Sequence, residues 1–172
     1  NGDEIQFQKK WKSITEGKTV LPWKAGPDWG DESDQIGILS GNEWDWLTDA
    51  SKELFFSQAY QLSTQSDRMG YRLEHPSLAL TRQQELVSSA VNRGTLQLLP
   101  NGKIILLMAD HQTTGGYPRL GHVASAHHHR LAQYRPGDPI YFRRVSQSTA
   151  EQWMTRQQQH LLQLQNACTF RL

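Results

Sequence analysis

Cysteine is almost missing from this chain. A single residue, Cys168, among 172 excludes an internal disulfide and any cysteine-built zinc cage. Placed near the end, it reads as a packing residue rather than a chemical one. An excess of either charge is missing too. With 18 basic and 17 acidic residues the formal charge is +1, so no global field draws nucleic acid or an anionic membrane. Long hydrophobic runs are lacking: the longest near-continuous one, Ile104 to Ala109, is far too short to span a bilayer, and no charged-then-apolar signal segment opens the chain. These absences predict a soluble, cytoplasmic protein with no nucleic-acid or membrane partner. Neither Gly-x-x-x-x-Gly-Lys-Ser/Thr nor Gly-x-Gly-x-x-Gly occurs, and no Gly-x-Ser-x-Gly elbow supports a serine hydrolase.

The length suits one domain with a sizeable core. Asn1-Gly2-Asp3 reads as a turn into a short strand over Glu4-Ile5-Gln6-Phe7, and a chain beginning at a turn looks cut there. Residues 11–34 show little periodicity and read as a loop or linker whose carboxylates lack calcium-loop spacing, with Trp23 and Trp29 covering core edges. Gln35 to Ser40 reads as a buried strand. Trp44, Trp46, Leu47, Leu54, Phe55 and Phe56 predict one or two short helices with a wide apolar face, capped by Asp49. Gln58 to Ser63 alternates as a strand does.

Thr95-Leu96-Gln97-Leu98-Leu99 and Lys103-Ile104-Ile105-Leu106-Leu107-Met108 flank Pro100-Asn101-Gly102, the clearest hairpin signal in the chain. Asn92-Arg93-Gly94 reads as a turn, Gly121 to Ala126 as a short strand, Arg130 to Gln133 as a helical turn, and Pro139 to Val145 as a strand. Ser148-Thr149-Ala150-Glu151 has the form of a capping box, opening a terminal helix over 148–166 with Trp153, Met154, Leu161 and Leu164 on one side. Many short strands with Gly and Pro turns predict a mostly β barrel or sandwich with peripheral helices.

Two polar loops, Ser66 to Glu74 and Asp110 to Tyr117, are joined by the hairpin. Bracketed by apolar runs and punctuated by glycines, they have the make-up of loops that hold something polar. Gly115-Gly116 with Gln112, Thr113, Thr114 and the cations Arg68 and Arg72 suits a carboxylate, an amide or a phosphate, or else a well-hydrogen-bonded barrel loop. Asp67, Glu74, Asp110 and His111 are candidate acid-base groups, and Arg68 with Glu74 is equally a structural ion pair. Consecutive His127, His128 and His129 cannot face one point on a helix, and read as exposed residues rather than metal ligands.

Ser66-Asp67-Arg68-Met69-Gly70-Tyr71-Arg72-Leu73-Glu74, Gly94-Thr95-Leu96-Gln97, Met108 through Pro118, and Leu131-Ala132-Gln133 with Pro136-Gly137-Asp138 follow one another in an order that closely resembles the allophanate hydrolase subunit 2 family. That family includes the C-type component of 5-oxoprolinase, the regulator KipA and the carboxyltransferase region of urea carboxylase. The resemblance implies a cyclophilin-like β-barrel over 1–172, forming the C-terminal half of a longer chain. It implies ATP-dependent opening of 5-oxoproline to glutamate, carried out with the A-type and B-type (KipI-like) components of 5-oxoprolinase, the half alone being folded but inactive. Alternatively it implies a carboxyltransferase component using biotin on urea or a similar small amide, or a KipA-like module that sequesters a kinase inhibitor. Carried over by position, Asp110 and Arg72 are the catalytic candidates. Arg68, Tyr71, Gln97, Gln112, Thr113, Gly115, Gly116, Tyr117 and Gln133 are the substrate-binding candidates, expected in one pocket. His75 stands where the family commonly has glycine, and His127 and His128 where it commonly has Asp-Leu.

Overall fold

The computed structural model of the protein describes residues 33–82, 84 and 86–169. The strand expected over 4–7, most of the 11–34 loop, Trp23, Trp29 and the packing of Cys168 fall outside what it describes.

The architecture is mostly β, as the turn-rich sequence predicts. Among the described residues ten strands form, in chain order: β1 Ile36–Ser40, β2 Tyr60–Leu62, β3 Gly70–Glu74, β4 Ser89–Ala90, β5 Thr95–Leu98, β6 Ile104–Leu107, β7 Thr114–Gly115, β8 Arg119–Val123, β9 Pro139–Ile140 and β10 Phe142–Arg144. Eight of them make one sheet in the order β10-β1-β8-β5-β6-β3-β2-β9, while β4 and β7 pair as a separate ribbon. The sheet's two edge strands are consecutive in sequence. Read as one strand over 139–145, this segment is instead broken at Tyr141. Its first part pairs with β2 and its second runs parallel to β1, so the chain itself brings the two ends of the sheet together into a nearly closed barrel. Near-closure leaves little of the exposed edge that an open sheet must otherwise protect.

Strand alternation fills the inside. Ile36, Ile38, Leu62, Leu73, Leu96, Leu98, Ile104, Leu106 and Leu120 form the core with Phe55, Tyr60 and Phe142. Phe55 stacks on Phe142 at 5.7 Å between centroids and meets Trp44 edge-on at 5.1 Å, so the aromatic segment after β1 covers one barrel end. It does so from a helical turn at Trp44–Trp46 and helix α1, Asp49–Ser57. Thr48, not Asp49, is the cap: its Oγ1 accepts from the Ser51 backbone amide at 3.2 Å, and Asp49 is already helical.

The hairpin forms as expected between β5 and β6. The Gly102 amide donates to the Leu99 carbonyl, and Gly102 takes φ +77, closing a three-residue loop with a glycine in the left-handed region. The first polar loop is shorter than the sequence suggests. Its second half, Gly70 onward, is β3, paired in register with β6 (Arg72 opposite Ile105). The expected 121–126 strand begins earlier, at Arg119, and gives way at Ser125 to a helical turn and a short helix α2, His128–Leu131.

The triple histidine is not exposed. His127 is fully buried, stacks on Trp153 at 4.6 Å and accepts the Gly37 backbone N–H at Nδ1, while His128 and His129 are half-buried. The terminal helix α3 spans Gln147–Thr169. Its cap is Ser146, whose Oγ accepts from the Thr149 amide at 3.1 Å, and Ser148 lies inside the helix. Only its first turns are buried in the barrel wall, through Ala150 and Trp153, whereas Leu161 is 53% exposed.

Candidate functional site

Because Leu96 and Leu98 point into the core, Gln97 between them points out, and the same alternation turns Arg72 out between Tyr71 and Leu73. Arg72 lies opposite Ile105 and Ile105 opposite Gln97, so the three form one row across β3, β6 and β5 on the outer face. The β4–β7 ribbon covers this face, and a recess of about 530 Å³ lies between them, lined by Arg72, Gln97, Gln112, Asn101, Asp67 and Tyr117 among others.

Gln97 is 5% exposed, and its Nε2 has no hydrogen-bond partner among the described residues. A buried amide donor without an acceptor costs free energy that native proteins seldom leave uncompensated, which makes it a marker for a ligand. Arg72 is exposed at the open side of the recess and makes no ion pair among the described residues. Asp67 shares the recess, but its Oδ1 is occupied by the Met69 and Gly70 backbone amides at 2.8 and 3.1 Å, a local turn that leads the chain into β3.

The ribbon is held down from the side. Arg119 grips the Glu43 carboxylate three times, from its backbone N–H and Nε, each at 2.9 Å, and from a terminal nitrogen at 2.8 Å, and its other terminal nitrogen donates to Ser89 Oγ on β4 at 3.1 Å. That grip pulls the Glu43 carboxyl below its usual range, with burial opposing. An irregularity in the β5–β8 register puts Gln97 opposite Arg119 while Leu96 stays opposite Gly121, so a bulge at Leu120 aligns the recess with its anchor.

The candidates inferred from the sequence are divided between the two faces. Arg72, Gln97, Gln112 and Tyr117 line the outer recess, and Gly115 abuts Gln97. Gly116 lines an adjoining, largely apolar recess of about 750 Å³ that shares Leu99, Pro100 and Tyr117 with the first. Thr113 does not line either recess; its carbonyl accepts the Val91 amide, joining the ribbon's ends. Arg68 and Tyr71 open instead onto a third cleft of about 370 Å³ with Tyr134 and Arg93. Asp110 is tied there, 3.0 Å from Arg68 Nε, and Gln133 is exposed in the turn between two of that cleft's residues, Ala132 and Tyr134. The alternative Arg68–Glu74 pair is not what forms: Arg68 pairs with Asp110, and Glu74 lies 3.9 Å from Lys103. Asn101, legible in the sequence only as turn chemistry, also lines the recess, and the Glu43–Arg119–Ser89 anchor joins residues too far apart in the chain for any local pattern to mark.

The arrangement offers one buried amide donor, one cation nearer water, and neutral amide and phenol groups between them. It can orient a compact molecule with an amide carbonyl at one end and an anion at the other. Among the described residues no three or more His, Cys, Asp or Glu side chains converge as a metal site, and no helix is long and apolar enough to cross a membrane.

Residues 1–144 match the family described as the carboxyltransferase domain, subdomain A and B. The chain is 40% identical over 164 residues to an Escherichia coli (strain K12) protein named as the C component of 5-oxoprolinase, covering 95% of this chain and 51% of that one. A Haemophilus influenzae protein of the same name is 37% identical over 131 residues, covering 76% of this chain and 42% of the other. Among solved structures, Kluyveromyces lactis urea carboxylase superposes with a TM-score of 0.69 at 23% identity, covering 73% of this chain and 12% of that one, which shows a shared fold. The chain spans about half the length of the curated relatives it matches.

Proposed function

Since this chain belongs to the carboxyltransferase domain A and B family, we propose that it is the C-terminal half of a protein like the C component of 5-oxoprolinase. In this reading it acts in the cytoplasm with A-type and B-type partner components in the ATP-dependent hydrolysis of 5-oxoproline to glutamate. Support comes from two relatives of that name, matched along most of this chain. The observation that carries the reading is the partnerless Gln97 Nε2 at the buried end of the outer recess. A lactam carbonyl supplies the acceptor it lacks, and a small ring fits the volume.

The donor set suits one carboxylate rather than a triphosphate: a single arginine shares the recess with the Asp67 carboxylate. ATP is therefore assigned in this proposal to the partner components, where it supplies the driving force for opening the ring. This chain's part is to bind and orient the amide. Gln97 holds the carbonyl, the ribbon limits water above it, and Asn101 and Gln112 offer further hydrogen bonds. The half alone is expected to fold without turning substrate over.

The test is reconstitution of the full-length protein with both partner components, following 5-oxoproline-dependent ATP turnover and glutamate release. No turnover above background removes the proposal. The family description favours one second reading, a biotin-dependent carboxyltransferase component acting on urea or a similar amide. On that reading the apolar recess beside Tyr117 would hold biotin's hydrocarbon parts. Carboxylation of urea by the full-length protein, with a biotin carrier and carboxylase supplied, decides for it.

A further inference from the structure

We infer that Arg72 sets the substrate class of the outer recess: it selects small amides that carry a carboxylate and rejects neutral ones such as urea. The inference rests on the preceding reading for where the substrate lies, but not for what is done to it.

Arg72 and Gln97 stand in one row with Ile105 between them. Adjacent strands are about 4.8 Å apart, so their backbones are separated by about 10 Å, a span that a compact molecule lying over Ile105 bridges together with the two side chains. The two groups differ in kind as well as position. Gln97 is buried and neutral, so it meets a neutral acceptor, whereas Arg72 is exposed and charged. A carboxylate at the mouth therefore keeps part of its hydration, and only the amide end is fully desolvated.

Arg72 has no competing partner. Arg68 is bound to Asp110, Arg119 to Glu43 and Lys103 lies beside Glu74, while Arg72 has no carboxylate within ion-pair distance among the described residues. Asp67, the one carboxylate among the described residues that line the recess, accepts the backbone amides of Met69 and Gly70 at its Oδ1. Ile105 on the floor, half-buried between the two polar groups, gives the body of the molecule an apolar bed. Urea has no carboxylate to place against Arg72, so it leaves the charged end of this site unmatched.

The experiment is titration calorimetry on the full-length protein in complex with its partner components. The probes are two carboxylated amides, 5-oxoproline and N-acetylglycine, and two neutral ones, 2-pyrrolidinone and urea. A charged hydrogen-bonded pair predicts that R72Q weakens the carboxylated probes by about 10- to 100-fold and leaves 2-pyrrolidinone unchanged, with R72K recovering part of the loss. Q97L weakens 5-oxoproline and 2-pyrrolidinone by similar factors. Arg72 is exposed, so an unchanged melting temperature is expected to show that R72Q is folded. Equal binding of 5-oxoproline and 2-pyrrolidinone by the unaltered protein overturns the inference. So does unaltered 5-oxoproline affinity in R72Q, or absence of binding by every carboxylated probe. ATP-dependent turnover separates the two claims. Full turnover by R72Q removes this role while leaving the oxoprolinase reading intact. Arg72-dependent binding with no turnover by the unaltered complex removes that reading and keeps the site.

Discussion

Gly115 lies so close to Gln97 that a β-carbon on it would come within 2.5 Å of Nε2. The missing side chain lets the β4–β7 ribbon press directly on the amide that marks the buried end of the recess. Gly115→Ala must therefore move either the amide or the ribbon. The ribbon is tied to Arg119 through Ser89, whereas the amide nitrogen has no hydrogen-bond partner among the described residues, so the amide is the part that yields. The expected outcome is a modest stability loss of about 1 kcal/mol with at least about a tenfold loss of 5-oxoproline affinity, the size of one charged or buried hydrogen bond. Calorimetry and thermal denaturation on the same variant check it. Unchanged affinity would mean that Gln97 does not touch the ligand.

Glu43 and Arg119 anchor the ribbon's other side, and Glu43 is 5% exposed. Glu43→Gln keeps the shape but leaves Arg119 without its counter-charge. Because Arg119 is itself partly open to water, the expected cost is about 2 kcal/mol, below that of a fully buried broken pair. Its pH dependence has a definite sign. The folded carboxyl titrates below its ordinary value, so the pair's stabilisation is complete above about pH 4.5 and fades as pH falls through the folded pKa. Denaturation midpoints of the two proteins should differ at neutral pH and converge in acid. A gap that stays constant to low pH contradicts the assignment.

The parts of this fold that were legible are those where a local pattern decides a local structure. The Pro100-Asn101-Gly102 turn, the apolar alternation of its arms and the buried strand after Gln35 follow from periods and backbone angles. What was not legible depends on contacts across the chain. Nothing near Tyr141 says that one strand leaves β2 and joins β1 to close the barrel. Ser146 and Ser148 both suit a cap, and only the observed helix start chooses between them. His127 looks polar and exposed until Trp153, 26 residues later, covers it.

The candidate site shows the same division. The residue types were readable, because polar side chains on apolar hairpin arms stand out. Their grouping was not. Tyr71 and Arg72 are neighbours in sequence, yet strand alternation sends them to different recesses. That rule was available only once Gly70 to Glu74 was known to be a strand rather than a loop.

His75 replaces the glycine expected from the resemblance, and it has become structural. Its Nε2 accepts the Ile104 amide at 3.0 Å, its Nδ1 meets the Pro76 carbonyl at 2.6 Å, and the ring leans on Tyr60. This pattern requires neutral imidazole, and burial pushes its pKa below the usual value. The unfolded chain takes up the proton near pH 6.5 and the folded one only lower. Stability from His75 is thus present above about pH 6.5 and lost as pH falls through the folded pKa. His122, His128 and His129 are shifted the same way by burial and add to the slope. His75→Phe keeps the ring but orphans the Ile104 amide, at an expected cost of about 1–3 kcal/mol at neutral pH. Its stability should fall less steeply between about pH 7 and 5 than the parent's, and parallel curves would refute this account.

Trp153 is the residue by which α3 holds the barrel. One face of its indole carries His127 at 4.6 Å, Arg143 lies 4.8 Å from its centroid, and Gly37 on β1 approaches so closely that a β-carbon there would meet the ring at 2.6 Å. Removing the ring uncovers His127 and leaves a void against β1. Trp153→Ala is expected to cost about 3–5 kcal/mol, whereas Trp153→Phe, which keeps a stacking partner for His127, should cost less than half as much. Gly37→Ala presses a β-carbon on the edge of the six-membered ring, so in the Trp153→Phe background its penalty should shrink. Chemical denaturation of the three single and double variants gives the coupling directly. Additive effects of the two substitutions would show that Gly37 and Trp153 do not share the contact described.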